Sequence, residues 1–342
     1  MNLVTGATGI VGSHVVLALL QNNEEVIACK QKSSDVKKVE ELFSFYTVDY
    51  KNLFGKIKWV DVDILDIFSI EEALKGVTNV YHCAGFVSFD SRDRKKTMSI
   101  NETGTKNVVD ACLHNKIKAL CHVSSLAAIH NLDYTSALSE DVFWKKSGKE
   151  SDYAISKYNA EREVWRGIEE GLNAVIVNPG VVLSPGFVGQ SSSRLFDAAY
   201  KGNKFYPVGT TAYIAASDVA KIMIKLIALE KFGQRYILIE NNYRYFDILS
   251  HIQRNFNKPV PSIKATRFIL TLANIFEDFR VFFQGGEKRV TKALIRSAFN
   301  KQEYSNKKIN TELGVEFVPV LQIIEQICQK YGPRKNKGET SR

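Results

Sequence analysis

Leu3-Val4-Thr5-Gly6-Ala7-Thr8-Gly9-Ile10-Val11-Gly12-Ser13-His14 stands at the head of the chain, and its reading decides the fold. Leu3-Val4 is a short apolar strand. Val15, Val16, Leu19 and Leu20 recur on one face of a following helix. Between them, Gly6, Gly9 and Gly12 allow a tight turn and let the backbone approach a pyrophosphate, with the helix N-terminus facing the phosphates. The spacing is Gly-x-x-Gly-x-x-Gly, not the Gly-x-Gly-x-x-Gly of the common dinucleotide fingerprint. Its place at the first strand-to-helix turn of an alternating pattern favours nucleotide binding over a plain turn.

The alternation continues outward. Apolar runs predict strands over residues 25–29, 58–62, 80–85, 120–123, 174–178 and 235–239. Helical spacing predicts helices over 71–75, 97–115 and 151–170, and another opening at Ser217-Asp218. The expected fold class is α/β: a Rossmann-type, doubly wound parallel sheet capped by a smaller, mainly helical C-terminal lobe. Residues 1–178 form the expected nucleotide domain, with 212–240 returning to it. Residues 179–211 and 241–332 form the expected substrate lobe, and 333–342 a disordered basic tail. Phe268, Phe276, Phe279, Phe282, Phe283 and Phe299 lie in the helical C-terminal part, where an aromatic stripe is expected to be core. Residues 184–193, rich in Gly, Pro and Ser, read as a mobile loop near the site.

The second strand ends in Lys30-Gln31-Lys32-Ser33-Ser34. NAD sites usually place an acid there for the ribose 2′-OH. Two cations and hydroxyls suit a 2′-phosphate instead, so NADP is expected over NAD; the plain alternative is that Lys30 and Lys32 face solvent. Asp63, after the third strand, offers a carboxylate to an adenine amino group. The fourth strand ends in Cys83-Ala84-Gly85, small residues that suit close approach of a cofactor. His82 within it reads as a core histidine.

Tyr153 and Lys157 stand four apart in Asp152-Tyr153-Ala154-Ile155-Ser156-Lys157, and so share a helix face. A free phenol titrates near 10. A neighbouring cation favours the phenolate, so the pair can pass a proton to or from a hydroxyl or carbonyl. Taken alone, the pair also fits a solvated helix face. Ser124-Ser125 closes the fifth strand, at the carboxyl end where open α/β sheets bind ligands. No Gly-x-Ser-x-Gly elbow surrounds either serine, so a hydrolase lacks its motif.

In this order, Thr5 to Gly12, Asp63, Asn101 with Gly104-Thr105, Ser124-Ser125, Tyr153-x-x-x-Lys157 and Pro179-Gly180 resemble the extended short-chain dehydrogenase/reductase family, also called the NAD-dependent epimerase/dehydratase family. The resemblance covers most of residues 1–240. It implies Ser125, Tyr153 and Lys157 as the catalytic set. Ser125 would orient the substrate oxygen, Tyr153 act as acid/base, and Lys157 hold the nicotinamide ribose and lower the Tyr153 pKa. It implies cofactor contacts from Gly6, Thr8, Gly9, Ile10, Val11, Gly12, Asp63, Ile64, Ala84, Gly85, Tyr153, Lys157, Pro179, Gly180 and Val182, joined by Lys30 and Lys32. Tyr153 to Glu161 with Trp165, and Asn178-Pro179-Gly180-Val181-Val182, are most similar to the dihydroflavonol reductase and 3β-hydroxysteroid dehydrogenase branch. Sugar-nucleotide epimerases of the family often carry Arg-Asp where this chain reads Thr210-Thr211-Ala212-Tyr213-Ile214. The expected activity is NADP-dependent hydride transfer to or from a mostly apolar alcohol or carbonyl compound. The alternatives are an NAD-dependent nucleotide-sugar epimerase or dehydratase, and a non-catalytic nucleotide-binding protein.

Composition narrows the partners. With 342 residues, 45% apolar and 24% charged, the chain has the make-up of a globular protein with a sizeable core. No apolar run reaches the roughly 18 residues of a membrane span. From Lys330 onward five cations stand against one acid, +4 of the net +9, so the basicity reads as a solubilising tail with no nucleic-acid motif beside it. Five cysteines show no metal-ligand spacing and read as reduced buried thiols. No metal is expected. A strand starting at Asn2 leaves no room for a signal peptide, and the expected location is cytoplasmic. The expected partners are a small-molecule substrate and, as an open alternative, a second copy of the chain.

Overall fold

The computed structural model describes residues 1–130, 136–186, 194–284, 286, 288 and 290–330. The basic tail, and residues 187–193 of the expected mobile loop, lie outside the described residues. Following the chain, β1 (Asn2–Thr5) leads through the glycine turn into α1 (Ile10–Gln21), then β2 (Val26–Lys30), α2 (Lys37–Tyr46), α3 (Tyr50–Gly55), β3 (Lys58–Asp61), α4 (Ile67–Ala73) and β4 (Asn79–His82). Next come α5 (Arg94–Met98), α6 (Gly104–His114), β5 (Ala119–Val123), α7 (Asp152–Glu169), β6 (Ala174–Pro179) and β7 (Val181–Leu183). The remainder is α8 (Arg194–Tyr200), β8 (Phe205–Tyr206), β9 (Thr210–Ala215), α9 (Ala216–Ala228), β10 (Gln234–Leu238), β11 (Asn241–Arg244), α10 (Tyr245–Asn255) and β12 (Ile263–Lys264). It ends in α11 (Arg267–Gln284), α12 (Lys292–Ala298), α13 (Lys307–Leu313) and α14 (Val320–Lys330).

Seven strands form one parallel sheet in the order β10-β6-β5-β4-β1-β2-β3. The order reverses between β1 and β4. That is the switch point where doubly wound sheets open a ligand crevice at their carboxyl ends. The inner strands β1, β2, β4, β5 and β6 are buried on both sides, so successive residues enter opposite cores. Val4, Ala28, Tyr81, Cys121 and Val175 pack towards α1 and α9, with Val15, Val16, Leu19, Val219 and Met223. Their neighbours Leu3, Ile27, Val80, Leu120 and Ile176 pack the other way, against Ile70, Val108, Val109 and Val164 of α4, α6 and α7.

The C-terminal part has its own core. The strands β11, β9 and β7 form a three-stranded sheet, and β8 pairs with β12. Leu183, Phe196, Tyr213, Ile248, Ile252, Ile323 and Ile324 fill the cluster beneath the three-stranded sheet. Two placements differ from the sequence reading. Residues 212–215 belong to β9 and the smaller sheet; only α9 and β10 return to the main one. Helix α13 puts Ile309 and Leu313 into the core under α1 and α9 rather than into the lobe. Linear alternation does not reveal either excursion.

The helix expected over 97–115 is also interrupted. Between α5 and α6 the backbone widens into a π-helical turn, Ser99–Thr103, which carries the buried Asn101. Such turns insert an extra residue and are frequent at functional sites.

Candidate active site

The crevice is built first by glycine. Gly6 adopts φ 62°, and a Cβ there would lie 2.6 Å from the Ala84 amide nitrogen at the end of β4. Only glycine fits that crossing of β1 and β4. A Cβ on Gly12 would collide with the Gly6 carbonyl, so α1 begins tight against the turn. Gly9 caps α1 without any side-chain bond to its first-turn amides. Open amides at a helix N-terminus, behind a turn that brings backbone to the crevice, suit a pyrophosphate. These residues fit a dinucleotide.

Around this turn the expected cofactor residues are unevenly placed. Thr8 Oγ1 lies 3.5 Å from Ser34 Oγ, which also accepts from the Gln31 amide at 3.2 Å. The loop after β2 therefore borders the glycine turn. Lys32 is exposed there. Lys30, expected to meet a 2′-phosphate, is instead ion-paired with Asp61 at the end of β3. The register of β2 on β3 sets Lys30 opposite Asp61, a pairing invisible before the strand order is known. Asp63 caps its own loop, accepting from the Leu65 amide at 2.9 Å. Ile64 packs against Gly104, where a Cβ would come within 2.6 Å of its Cδ1. Gly180 has a packing reason of its own: a Cβ there would lie 2.5 Å from the Ala212 carbonyl oxygen in β9. Pro179 is buried at the end of β6, and Val182 packs on the core under α1 and α9.

The opposite wall is α7. Ser151 caps it, its hydroxyl accepting from the Ala154 amide at 3.1 Å. One turn in, Tyr153 and Lys157 face the carboxyl ends of β4 and β5. The Tyr153 hydroxyl lies beside Ser125, whose own oxygen accepts from the Ala127 amide at 3.1 Å. The Tyr153 ring meets Phe89 edge to face, with centroids 5.6 Å apart. Lys157 Nζ donates to the Val123 carbonyl at 2.8 Å, and a Cβ on Gly85 would sit 3.7 Å from it. Gly85 is thus a neighbour of the lysine as well as of the crevice.

Asn101 joins these pieces. Its side chain accepts from the Phe86 amide at 2.7 Å and donates to the Phe86 carbonyl at 2.9 Å. It also donates to Ser156 Oγ at 2.9 Å. The loop after β4 is thereby fixed to the helix that carries Tyr153 and Lys157.

Burial dominates the electrostatics. It lowers the Lys157 ammonium to about 8, with the Glu161 carboxylate and the Cys83 thiol opposing that fall. It raises the Tyr153 phenol above its ordinary value, opposed by the neighbouring Ser125 hydroxyl. The depressed phenol expected from the neighbouring cation is therefore absent from this arrangement, because the ammonium is spent on Val123 and desolvation outweighs it. The imidazole of His82 is pushed down to about 3 by burial and then by the Lys157 charge. It bonds Thr5 Oγ1 at 2.7 Å and Thr105 Oγ1 at 3.1 Å, the arrangement of a neutral core histidine.

Glu161 closes the run Tyr153 to Glu161 quoted above, but the sequence assigned it no role. Glu161 is buried one turn beyond Lys157. It accepts from Ser124 and Asn178, and from Arg235 Nη1 at 3.2 Å. Asn178 also donates to the Ser125 carbonyl at 3.0 Å, so this network reaches the serine that contacts Tyr153. The sequence signals for Glu161 were its place in that run and the four-residue spacing from Lys157.

Residues 2–238 match the NAD dependent epimerase/dehydratase family, and the chain belongs to it. It is similar to the sterol demethylase protein B of Methylococcus capsulatus, 27% identical over 324 residues, 92% of each chain. It is also similar to cinnamoyl-CoA reductase 1 of Petunia hybrida, 25% identical over 94% of this chain and 89% of that one. Among solved structures, that of gox2253 superimposes with a TM-score of 0.79 at 25% identity, over 96% of this chain and 97% of the other. The protein is an NAD(P)-dependent oxidoreductase of the extended short-chain dehydrogenase type.

Proposed function

We propose that this enzyme reduces a carbonyl group on a mostly apolar small molecule, with NADP as the preferred dinucleotide. The observation that carries the reading is the contact of the Tyr153 hydroxyl with Ser125 at the mouth of the crevice, one helical turn from the buried Lys157. When bound, the dinucleotide supplies the hydride. The glycine turn would hold its pyrophosphate, and Lys157 its ribose. Ser125 would donate to the substrate carbonyl oxygen and hold it beside Tyr153. As the carbonyl carbon gains hydride, its oxygen takes the Tyr153 proton and the alcohol is formed. A phenol kept protonated by burial suits this direction, because the group must begin as an acid. Lys157 then stands within one turn of the phenolate that results and favours it electrostatically.

Apolar substrates are supported by the surroundings of Tyr153. Phe89, on the loop fixed by Asn101, packs on Tyr153 and is 36% exposed, and Val87 on the same loop is 51% exposed; together they offer an apolar wall. The name of the Petunia relative points to carbonyl reduction in the same direction. The preference for NADP rests on Lys32 and on the hydroxyls of Ser33 and Ser34, with Lys30 partly neutralised by Asp61.

The experiment is a screen of carbonyl compounds for NADPH and NADH oxidation, with Tyr153→Phe as the control. Turnover should fall by about 10²–10⁴ in the variant, while NADPH titrated by fluorescence binds it as it binds the wild type. Full activity in Tyr153→Phe would refute the assigned role. Tightly held NAD in purified protein, with epimerisation and no net oxidation, would favour sugar-nucleotide chemistry instead.

A further inference from the structure

We propose that α11 docks this enzyme on the surface of an anionic lipid bilayer. The helix carries Phe268, Leu272, Ile275, Phe276, Phe279 and Phe283, between 40% and 77% exposed. At about 100° per residue these six side chains fall within an arc of about 100°, one continuous apolar stripe. Exposed aliphatic residues scattered singly need no explanation; an aromatic stripe this long does. The sequence pattern alone placed these phenylalanines in a core; among the described residues, no packed element covers Phe268, Leu272, Ile275, Phe276 or Phe279.

Charge argues for what covers them. Residues 258–301 contain nine Lys and Arg (258, 264, 267, 280, 288, 289, 292, 296 and 301) against three Asp and Glu (277, 278 and 287). That is +6 of the chain's +9, in about an eighth of its length. Two of the three acids are already paired, Glu277 with Arg280 and Asp278 with Lys288. Lys264 and Arg267, at the start of α11, and Lys292 and Arg296, on α12 next to it, are exposed. A second copy docking face to face would set this positive segment against itself, since a two-fold contact brings identical surfaces together. Anionic headgroups attract it, while the phenyl rings enter the boundary of the acyl layer. No helix among the described residues is long and apolar enough to cross a membrane. Glu277, Asp278 and Arg280 within α11 suit a helix lying along the surface.

Position gives the docking a use. Arg92, ion-paired with Asp90, donates to the Gly286 carbonyl at 3.1 Å, just beyond the end of α11. Phe89, on that same loop, packs against Tyr153. The C-terminal end of α11 therefore lies near the loop that borders the candidate active site, where an apolar compound dissolved in the bilayer would arrive. The docking itself needs no substrate and stands apart from the proposed reduction.

The test is co-sedimentation of the full chain with vesicles of phosphatidylcholine, alone or with about one third phosphatidylglycerol. Wild-type protein should bind the anionic vesicles and bind the neutral ones more weakly. Phe276→Ser/Phe279→Ser should weaken binding roughly a hundredfold, about tenfold for each ring removed. Lys264→Glu/Lys292→Glu leaves every ring in place and should weaken it about tenfold or more. Both variants should keep wild-type NADPH affinity and the wild-type mass by light scattering. The proposal is overturned if wild-type protein ignores anionic vesicles or if the Phe variant binds them equally well. It is also overturned if the wild type is a dimer that loss of the rings dissociates, which would make the stripe a contact between copies.

Discussion

Lys157→Met should make the apo-protein more stable while making the enzyme inactive. Lys157 is 5% exposed, and burial lowers its ammonium from 10.5 to about 8. At about 1.36 kcal/mol per pH unit, holding that charge inside the fold costs about 3 kcal/mol at pH 7. Methionine keeps most of the chain's length and packing without the charge. It also loses the bond to the Val123 carbonyl, about 1 kcal/mol. The net expectation is a gain of about 2 kcal/mol at pH 7, or roughly 2–4 °C in melting temperature. The pH dependence identifies the cause. The folded pKa lies below the unfolded one, so the unfolded chain binds the extra proton between about 8 and 10.5. Wild-type stability therefore recovers through that window as pH rises, and the advantage of the variant shrinks and then reverses. Other groups titrate alike in both proteins and cancel in the difference. The assay is thermal melting of both apo-proteins by circular dichroism between pH 7 and 9.5, with NADPH titration alongside. A variant less stable at pH 7, or a difference that does not change with pH, would show that Lys157 carries no such burden.

Three further changes probe the frame of the site. Gly6→Ala forces a Cβ into a left-handed residue 2.6 Å from the Ala84 nitrogen; a loss of about 2–4 kcal/mol in stability and weakened NADPH binding are expected, and an unchanged melting curve would contradict the crossing geometry. Glu161→Gln removes the acid paired with Arg235, whose side chain is 15% exposed and keeps the Glu140 and Val142 carbonyls, so a loss of about 3 kcal/mol should follow in urea unfolding. The Lys157 ammonium should fall further, since Glu161 now holds it up; an unshifted pH profile would deny that link. Lys32→Glu should cut NADPH affinity about ten- to a hundredfold and spare NADH, read by competition titration; equal losses for both would remove Lys32 from the 2′-phosphate.

Local sequence determined the parts of this protein whose physics is local. The glycine turn is legible because only glycine tolerates the backbone at Gly6, and the strands because runs such as Val26–Lys30 and Ala174–Pro179 are apolar on both sides. Tyr153 and Lys157 share a face by helical geometry alone. What the tertiary structure decided lies between residues far apart in the chain. The pairing of Lys30 with Asp61 follows from the register of β2 on β3. The Lys157 ammonium meets the Val123 carbonyl, 34 residues earlier, because β5 and α7 are stacked. Asn101 reaches Ser156 only through the π-helical turn, and Arg235 reaches Glu161 only because β10 lies beside β6. The aromatic stripe of α11 is the sharpest case. Helical periodicity defines an apolar face, but whether another element covers that face is settled by the packing of the whole chain, and among the described residues Phe268, Phe276 and Phe279 stay exposed.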